Sequence, residues 1–158
     1  TVTAQTAPAP TDPQIVGIVL AADQIDVDYG KLALSKSKNK AVREFAQLMI
    51  TDHSAVQKSV LALGTKLGVK GEDSPTSLGL TQGSVAITAK LKSLNGAAFD
   101  TFYIDNEVSY HKTVTDAVEA VLIPSAKNAE LKGALEGAKP LFLAHLAHAR
   151  MVQSGGTK

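Results

Sequence analysis

The sequence predicts an all-α fold, a four-helix bundle with a short extra helix in the long connection between its second and third helices. Three observations carry that reading. Apolar residues recur at alternating steps of three and four through four long segments. No stretch alternates with the period of two that marks a half-buried strand. Capping residues, Gly and Pro punctuate the chain where those segments should end. At 158 residues, one domain is the expected organisation, long enough to bury a real core.

Asp12 and Pro13 read as an N-cap followed by a first-turn proline. Ile15, Ile18, Ala22, Ile25, Tyr29 and Leu32 then mark the inner stripe of a first helix ending near residues 36–39. A second helix spans about 40–67, with Val42, Phe45, Met49, Val56, Val60 and Leu63 inside and Gly68 as its C-cap. The stretch 69–83 reads as a loop rich in Gly, Ser, Pro and Thr. A short helix is expected over about 82–94, ended by Asn95–Gly96.

The third long helix is expected over about 97–122, with Ile104, Glu107, His111, Val114, Val118 and Val121 on its stripe, broken by Pro124 and Ser125. Asn128 caps a last helix over about 129–152, with Leu131, Leu135, Ala138, Leu141 or Phe142, His145 and His148 inward and Pro140 set to kink it. The folded domain is thus placed at 13–152, between a disordered leader at 1–12 and a disordered tail at 153–158. The long second connection is the arrangement of ferritin-like folds, and a plain up-down bundle is the competing topology.

Composition excludes several functions. Sixteen basic and fifteen acidic side chains leave a net charge of +1. That balance gives no electrostatic case for nucleic acid or an anionic membrane. Aromatics are 4% and Trp is absent, which removes a base-stacking platform. No cysteine is present, so thiolate metal sites and disulfides are out. No apolar run is long enough for a membrane span. The opening TVTAQTAPAPTD resembles the flexible segment left after signal-peptide cleavage and points to a periplasmic or secreted protein. An ordinary unstructured tail is the plainer reading.

The chemistry lies in the histidines. All four, His53, His111, His145 and His148, fall on expected inward faces, with Asp23, Asp26 and Glu107 on the same faces. Imidazoles and carboxylates converging from several helices suit a transition metal. Glu107 and His111 stand one turn apart, as do His145 and His148, and Asp23 and Asp26. Counting residues from the two interhelical turns puts Asp26, His53, Glu107 and His145 in one layer, His111 beside it and His148 about a turn further out. The bland alternative leaves each histidine half-exposed or hydrogen-bonded to a neighbour such as Tyr29, Tyr103 or Tyr110. Asp52 is in sequence beside His53, but adjacent helical residues point about 100° apart.

The stretches VREFAQLMITDHSAVQKSVLALGTKLGV, LKSLNGAAFDTFYIDNEVSYHKTV and AELKGALEGAKPLFLAHLAHARMV carry the motifs FAQxMxxDH, GxxFDxxY and PxLxxHL. In series they resemble a large family of exported bacterial proteins of unassigned function with ferritin-like folds. The resemblance covers roughly 13–152 and maps the family's hallmark positions onto Asp52, His53, Phe99, Asp100, Tyr103, His111, Pro140 and His145. It implies the fold, a periplasmic location and a metal site, and no reaction. That family often has a glutamate at the position of Asp26, whose shorter carboxylate reaches less far.

A di-iron oxidase is disfavoured, because Glu-x-x-His is missing. No nucleophile elbow, P-loop or dinucleotide fingerprint appears. Zinc or copper is the first expectation for a site rich in histidine, with iron behind them. The leading reading is a metal-binding bundle with a storage, buffering or stress role, and the alternative is a metal-free structural or interaction module. A redox or hydrolytic enzyme on the same site is a third class, and nothing in the sequence leans toward it.

Overall fold

The computed structural model describes residues 8–156, and all its regular structure is helical. Helix α1 is Asp12–Lys36 and α2 is Lys40–Leu67. Helix α3 is Pro75–Ser93 and α4 is Gly96–Ala117. The last long helix, α5, is Ala129–Gln153. No helix among the described residues is long and apolar enough to cross a membrane.

The start of α1 differs from expectation by one residue. Thr11 is the N-cap, accepting from the Gln14 amide while the Gln14 side chain accepts from the Thr11 amide. Asp12 is therefore helical, and its carboxylate accepts from the backbone amides of Lys127 and Asn128. Of the leader expected at 1–12, residues 1–7 lie outside the described residues, whereas Thr11 and Asp12 are ordered by these bonds. At the other end α5 runs through Gln153, and Gly155 and Gly156 donate back to the Val152 and Met151 carbonyls, so the expected tail is ordered to that point. Residues 157 and 158 lie outside the described residues.

Helix α3 is longer than expected, because Ser74 and Pro75 start it. Ser74 and Ser77 form a reciprocal cap at the first turn, and Pro75 supplies a preset φ where no amide donor is needed. This capping signal prevails over the Gly and Thr content that makes 69–83 look like a loop. Helix α4 ends earlier than expected, in a π-helical turn over Val118–Leu122 followed by the short helical piece Ile123–Ser125. Pro124 has no amide to give and its ring crowds the preceding turn. The wider turn accommodates it, with the Ile123 amide reaching back to the Val118 carbonyl.

Three-residue turns join α1 to α2 and the end of the α4 segment to α5, giving two antiparallel hairpins. The connection between them travels the length of the bundle. The Glu72 amide bonds to the Pro13 carbonyl at the start of α1, whereas Lys36, at the end of α1, bonds to the Lys92 carbonyl at the end of α3. Helix α3 therefore runs beside α1 in the same direction, and α4 starts at the α1–α2 turn. The topology is the crossover, not the plain up-down bundle. Helix α3 packs on α1 and also touches α4, so it covers the α1/α4 seam.

Two apolar clusters hold the bundle at its ends. Phe45, Met49, Phe99 and Tyr103 centre one, and Ile15, Val19, Leu131, Leu135 and Phe142 centre the other. The polar site lies between them. At Gly17 a Cβ would run into the Glu72 backbone carbonyl, which cannot swing aside as a side chain would. Gly17→Ala is expected to destabilise the fold by about 1–3 kcal/mol, read as a lowered urea midpoint. An unchanged midpoint would show that the start of the crossover is not held against α1.

Candidate metal centre

Three helices deliver one imidazole each to the middle of the bundle: His53 from α2, His111 from α4 and His145 from α5. All three are buried, as are Asp23 and Asp26 from α1 and Glu107 from α4. One ring nitrogen from each histidine lies within 4.8 Å of the others, and Asp26, Glu107 and His111 form a second group that meets the same limit. The two groups share His111 and merge into one centre.

Each imidazole is fixed by a bond at its outer nitrogen. His53 Nδ1 donates to Asp23 Oδ1 at 2.7 Å. His111 Nδ1 donates to the Glu107 carbonyl at 3.0 Å. His145 Nε2 donates to Asp52 Oδ2 at 2.8 Å. The remaining nitrogens are His53 Nε2, His111 Nε2 and His145 Nδ1. The first two are 3.4 Å apart, and Asp26 Oδ2 stands 2.7 Å from one and 3.3 Å from the other. Phe142 stacks parallel on the His53 ring at 5.5 Å between centroids, closing one side of the site.

Backbone geometry explains who meets whom. Side chains on a helix lean toward its N-terminus. The His111 ring therefore falls back over the Glu107 turn, as its bond to the Glu107 carbonyl requires. His111 is consequently central, where counting heights along straight helices puts it beside the layer. Asp52 is turned about 100° from His53. That rotation aims it across the seam at His145, while His53 faces α1 and α4. Asp52 is a member of the cluster that is missing from the candidate ligands read from the sequence. Adjacency to His53 was the wrong cue, and only the approach of α5 reveals its partner.

Of the other expected positions, Asp26, His53, Glu107, His111 and His145 converge. Asp26 is in contact with two imidazoles despite its short side chain. Asp23 stands outside the inner group and acts on it through His53. His148 is only half-buried and packs edge-on against Phe45 at 5.2 Å, in neither donor group. The tyrosines do not take the role the bland alternative gives them: Tyr110 donates to the Ala22 carbonyl, and Tyr29 packs edge-on against Tyr110.

Charge is distributed unevenly across the cluster. Burial alone would lower the His53 imidazole, but the charge of Asp26 and the hydrogen bonds to Asp23 and Asp26 raise it to about 10. Burial alone would raise Asp26, but the charge and hydrogen bond of His53 and the charge of His111 hold it down to about 2. Burial and the neighbouring Asp26 charge push Glu107 well above the carboxylate range. Burial lowers His111, with the His53 charge adding to the effect. His145 is lowered to about 4 by burial, which its bond to Asp52 offsets only in part.

Several buried atoms find no hydrogen-bond donor among the described residues: His145 Nδ1, Asp26 Oδ1 and Asp23 Oδ2. Each is a lone-pair acceptor. Unmatched buried acceptors are costly, and a cation compensates them directly. The donor set therefore fits a metal ion in both number and type.

The chain matches, over residues 1–152, the family described as a domain of unknown function, DUF4142. It belongs to that family. Among solved structures it is similar to one titled "CopM in the Cu(II)-bound form", at 14% identity and a TM-score of 0.69, covering 92% of this chain and 98% of that one. The likeness is one of fold. No curated protein matches.

The metal-free protein should be less stable in alkali. His53 is raised in the folded state, so its contribution is complete below the unfolded imidazole value of about 6.5 and is lost as pH rises through about 10. The elevated Glu107 has the same sign. Stability of the apo-protein is expected to fall by at most about 1.4 kcal/mol per pH unit for the His53 proton, read from urea midpoints between pH 7 and 10. His53→Gln should flatten that slope. A pH-independent midpoint in the parent protein would rule out the buried imidazolium.

Proposed function

We propose that this protein binds a transition-metal ion inside the helical bundle, outside the cytoplasm, in a storage, buffering or stress-response role. The observation that carries the reading is the set of three buried imidazoles, each with its outer N–H already bound to an acceptor. Metal-ligating histidines need that arrangement, because it fixes the tautomer and aims the bare nitrogen at the ion. His53 Nε2, His111 Nε2 and His145 Nδ1 would hold the ion, with Asp26 and Glu107 as the carboxylate donors.

Imidazole with carboxylate suits copper(II) or zinc, with iron behind them. The site has no thiolate or Glu-x-x-His pair, which argues against an iron–sulfur centre and a di-iron oxidase. The Cu(II)-bound state of the structurally similar CopM supports copper. The resident proton on His53 would have to leave as an ion arrives, so binding should release protons to solvent.

A metal-free structural module is the second reading. It is favoured by one observation, that Asp23 and Asp26 already sandwich a charged His53. Calorimetric titration of the purified apo-protein with copper(II) and zinc separates the two. The metal reading expects a dissociation constant below about 10 μM, equivalent to roughly −7 kcal/mol. His53→Ala or His145→Ala should weaken binding by about 100-fold, near 2.8 kcal/mol, whereas His148→Ala should leave it intact. Binding absent in the parent, or unaffected by the first two changes, contradicts the proposal.

A further inference from the structure

The bundle has two seams between its hairpins, and they are closed differently. The α1/α4 seam is covered by α3 and stapled by the Tyr110 bond to the Ala22 carbonyl. A small cavity of about 110 Å³ remains beneath it, walled by residues such as Ile18, Leu80 and Val118. Among the described residues no helix covers the α2/α5 seam. It holds a cleft of about 390 Å³, and small side chains face each other across it: Ala55 and Ser59 from α2, Ala134, Gly137 and Ala138 from α5. Asp52 lines this cleft.

Asp52 has a second distinguishing property. Its side chain is 24% exposed, whereas those of Asp23, Asp26 and Glu107 are 3% exposed or less. It is thus the acid in contact with both water and the buried cluster. The His145–Asp52 bond is also the polar link that spans α2 and α5 at the level of the site. The Lys66–Glu130 pair, which also joins these helices, lies at their far ends.

We infer that the α2/α5 cleft is the route by which a metal cation reaches the bundle centre, and that Asp52 is a gating residue that meets the ion first and passes it to His145. This inference rests on the metal-binding reading above. The carboxylate offers a cation a charged oxygen at the water boundary. Turning it toward the cleft releases the Nε2–H of His145 and frees that ring to rotate. The ion then exchanges one Asp52 oxygen for the His145 imidazole, with no net bond chemistry beyond ligand exchange.

A route and a ligand affect binding differently. Blocking a route slows entry and exit by the same factor and leaves the equilibrium unchanged, whereas removing a ligand changes the equilibrium. Gly137 is exposed, and a Cβ there meets nothing within 4 Å, so a large residue can be placed there without disturbing the core. Ala55, one turn from Asp52, is exposed and lines the same cleft.

The test is stopped-flow association and chelator-driven dissociation of zinc with the full chain. The variant Gly137→Trp is expected to slow both rates by a similar factor, about tenfold or more, while the dissociation constant stays within about twofold. Leu80→Trp, on the α3-covered side, should change neither rate selectively. Asp52→Asn keeps an acceptor for His145 and loses the charge, so association should slow and lose its dependence on ionic strength. Far-UV circular dichroism confirms that each variant is folded. Unchanged rates in Gly137→Trp, or an equal slowing by Leu80→Trp, overturn the route. Unchanged salt dependence in Asp52→Asn overturns the gate. If the parent binds no zinc or copper at equilibrium, the underlying metal reading fails first, and that outcome is distinct from a failure of the route.

Discussion

A helical bundle can tolerate a polar centre only if its charges answer one another. Here six buried polar side chains, Asp23, Asp26, His53, Glu107, His111 and His145, occupy the space where Leu and Val would ordinarily pack. Isolated, each would cost several kcal/mol on burial. They persist because Asp26 lies between two imidazoles and Asp23 holds the far side of His53. The orientation of every ring at the centre depends on that reciprocal arrangement.

The arrangement is complete on its outer side and incomplete on its inner side. Every imidazole has an acceptor at its outer nitrogen, so the tautomers are set before any ion arrives. The inner side retains bare lone pairs on His145 and Asp26. A purely structural network would be expected to close on itself. This one closes only with a proton on His53 and leaves acceptors over, which is the asymmetry on which the metal-binding proposal rests. The neighbouring apolar clusters supply the rigidity that holds the donors at fixed separations.

Much of the fold was legible in the sequence, because helix spacing and capping are local. Helix α2 occupies 40–67 as its stripe and its glycine cap predict, and Asn128 caps α5 as its type suggests. The errors were also local in origin. Ser74–Pro75 was a start signal hidden in a stretch that looked like loop, and Pro124 widened a turn instead of simply ending a helix. Within the site, the face-sharing of Asp26, His53, Glu107 and His145 could be read from periodicity and height. The centrality of His111 could not, since it depends on the backward lean of side chains and on helix tilt. The Asp52–His145 pair was invisible for a different reason: it joins residues 93 positions apart across an interhelical seam, and no local pattern encodes which faces of α2 and α5 approach.

The most direct test of the metal-binding claim is anomalous diffraction from crystals of the protein grown with copper(II) or zinc, recorded above and below the metal edge. A single strong anomalous peak bounded by the inner nitrogens of His53, His111 and His145 is the expected result. Density for metal only at surface residues, or none in the bundle despite saturating ion, would contradict it.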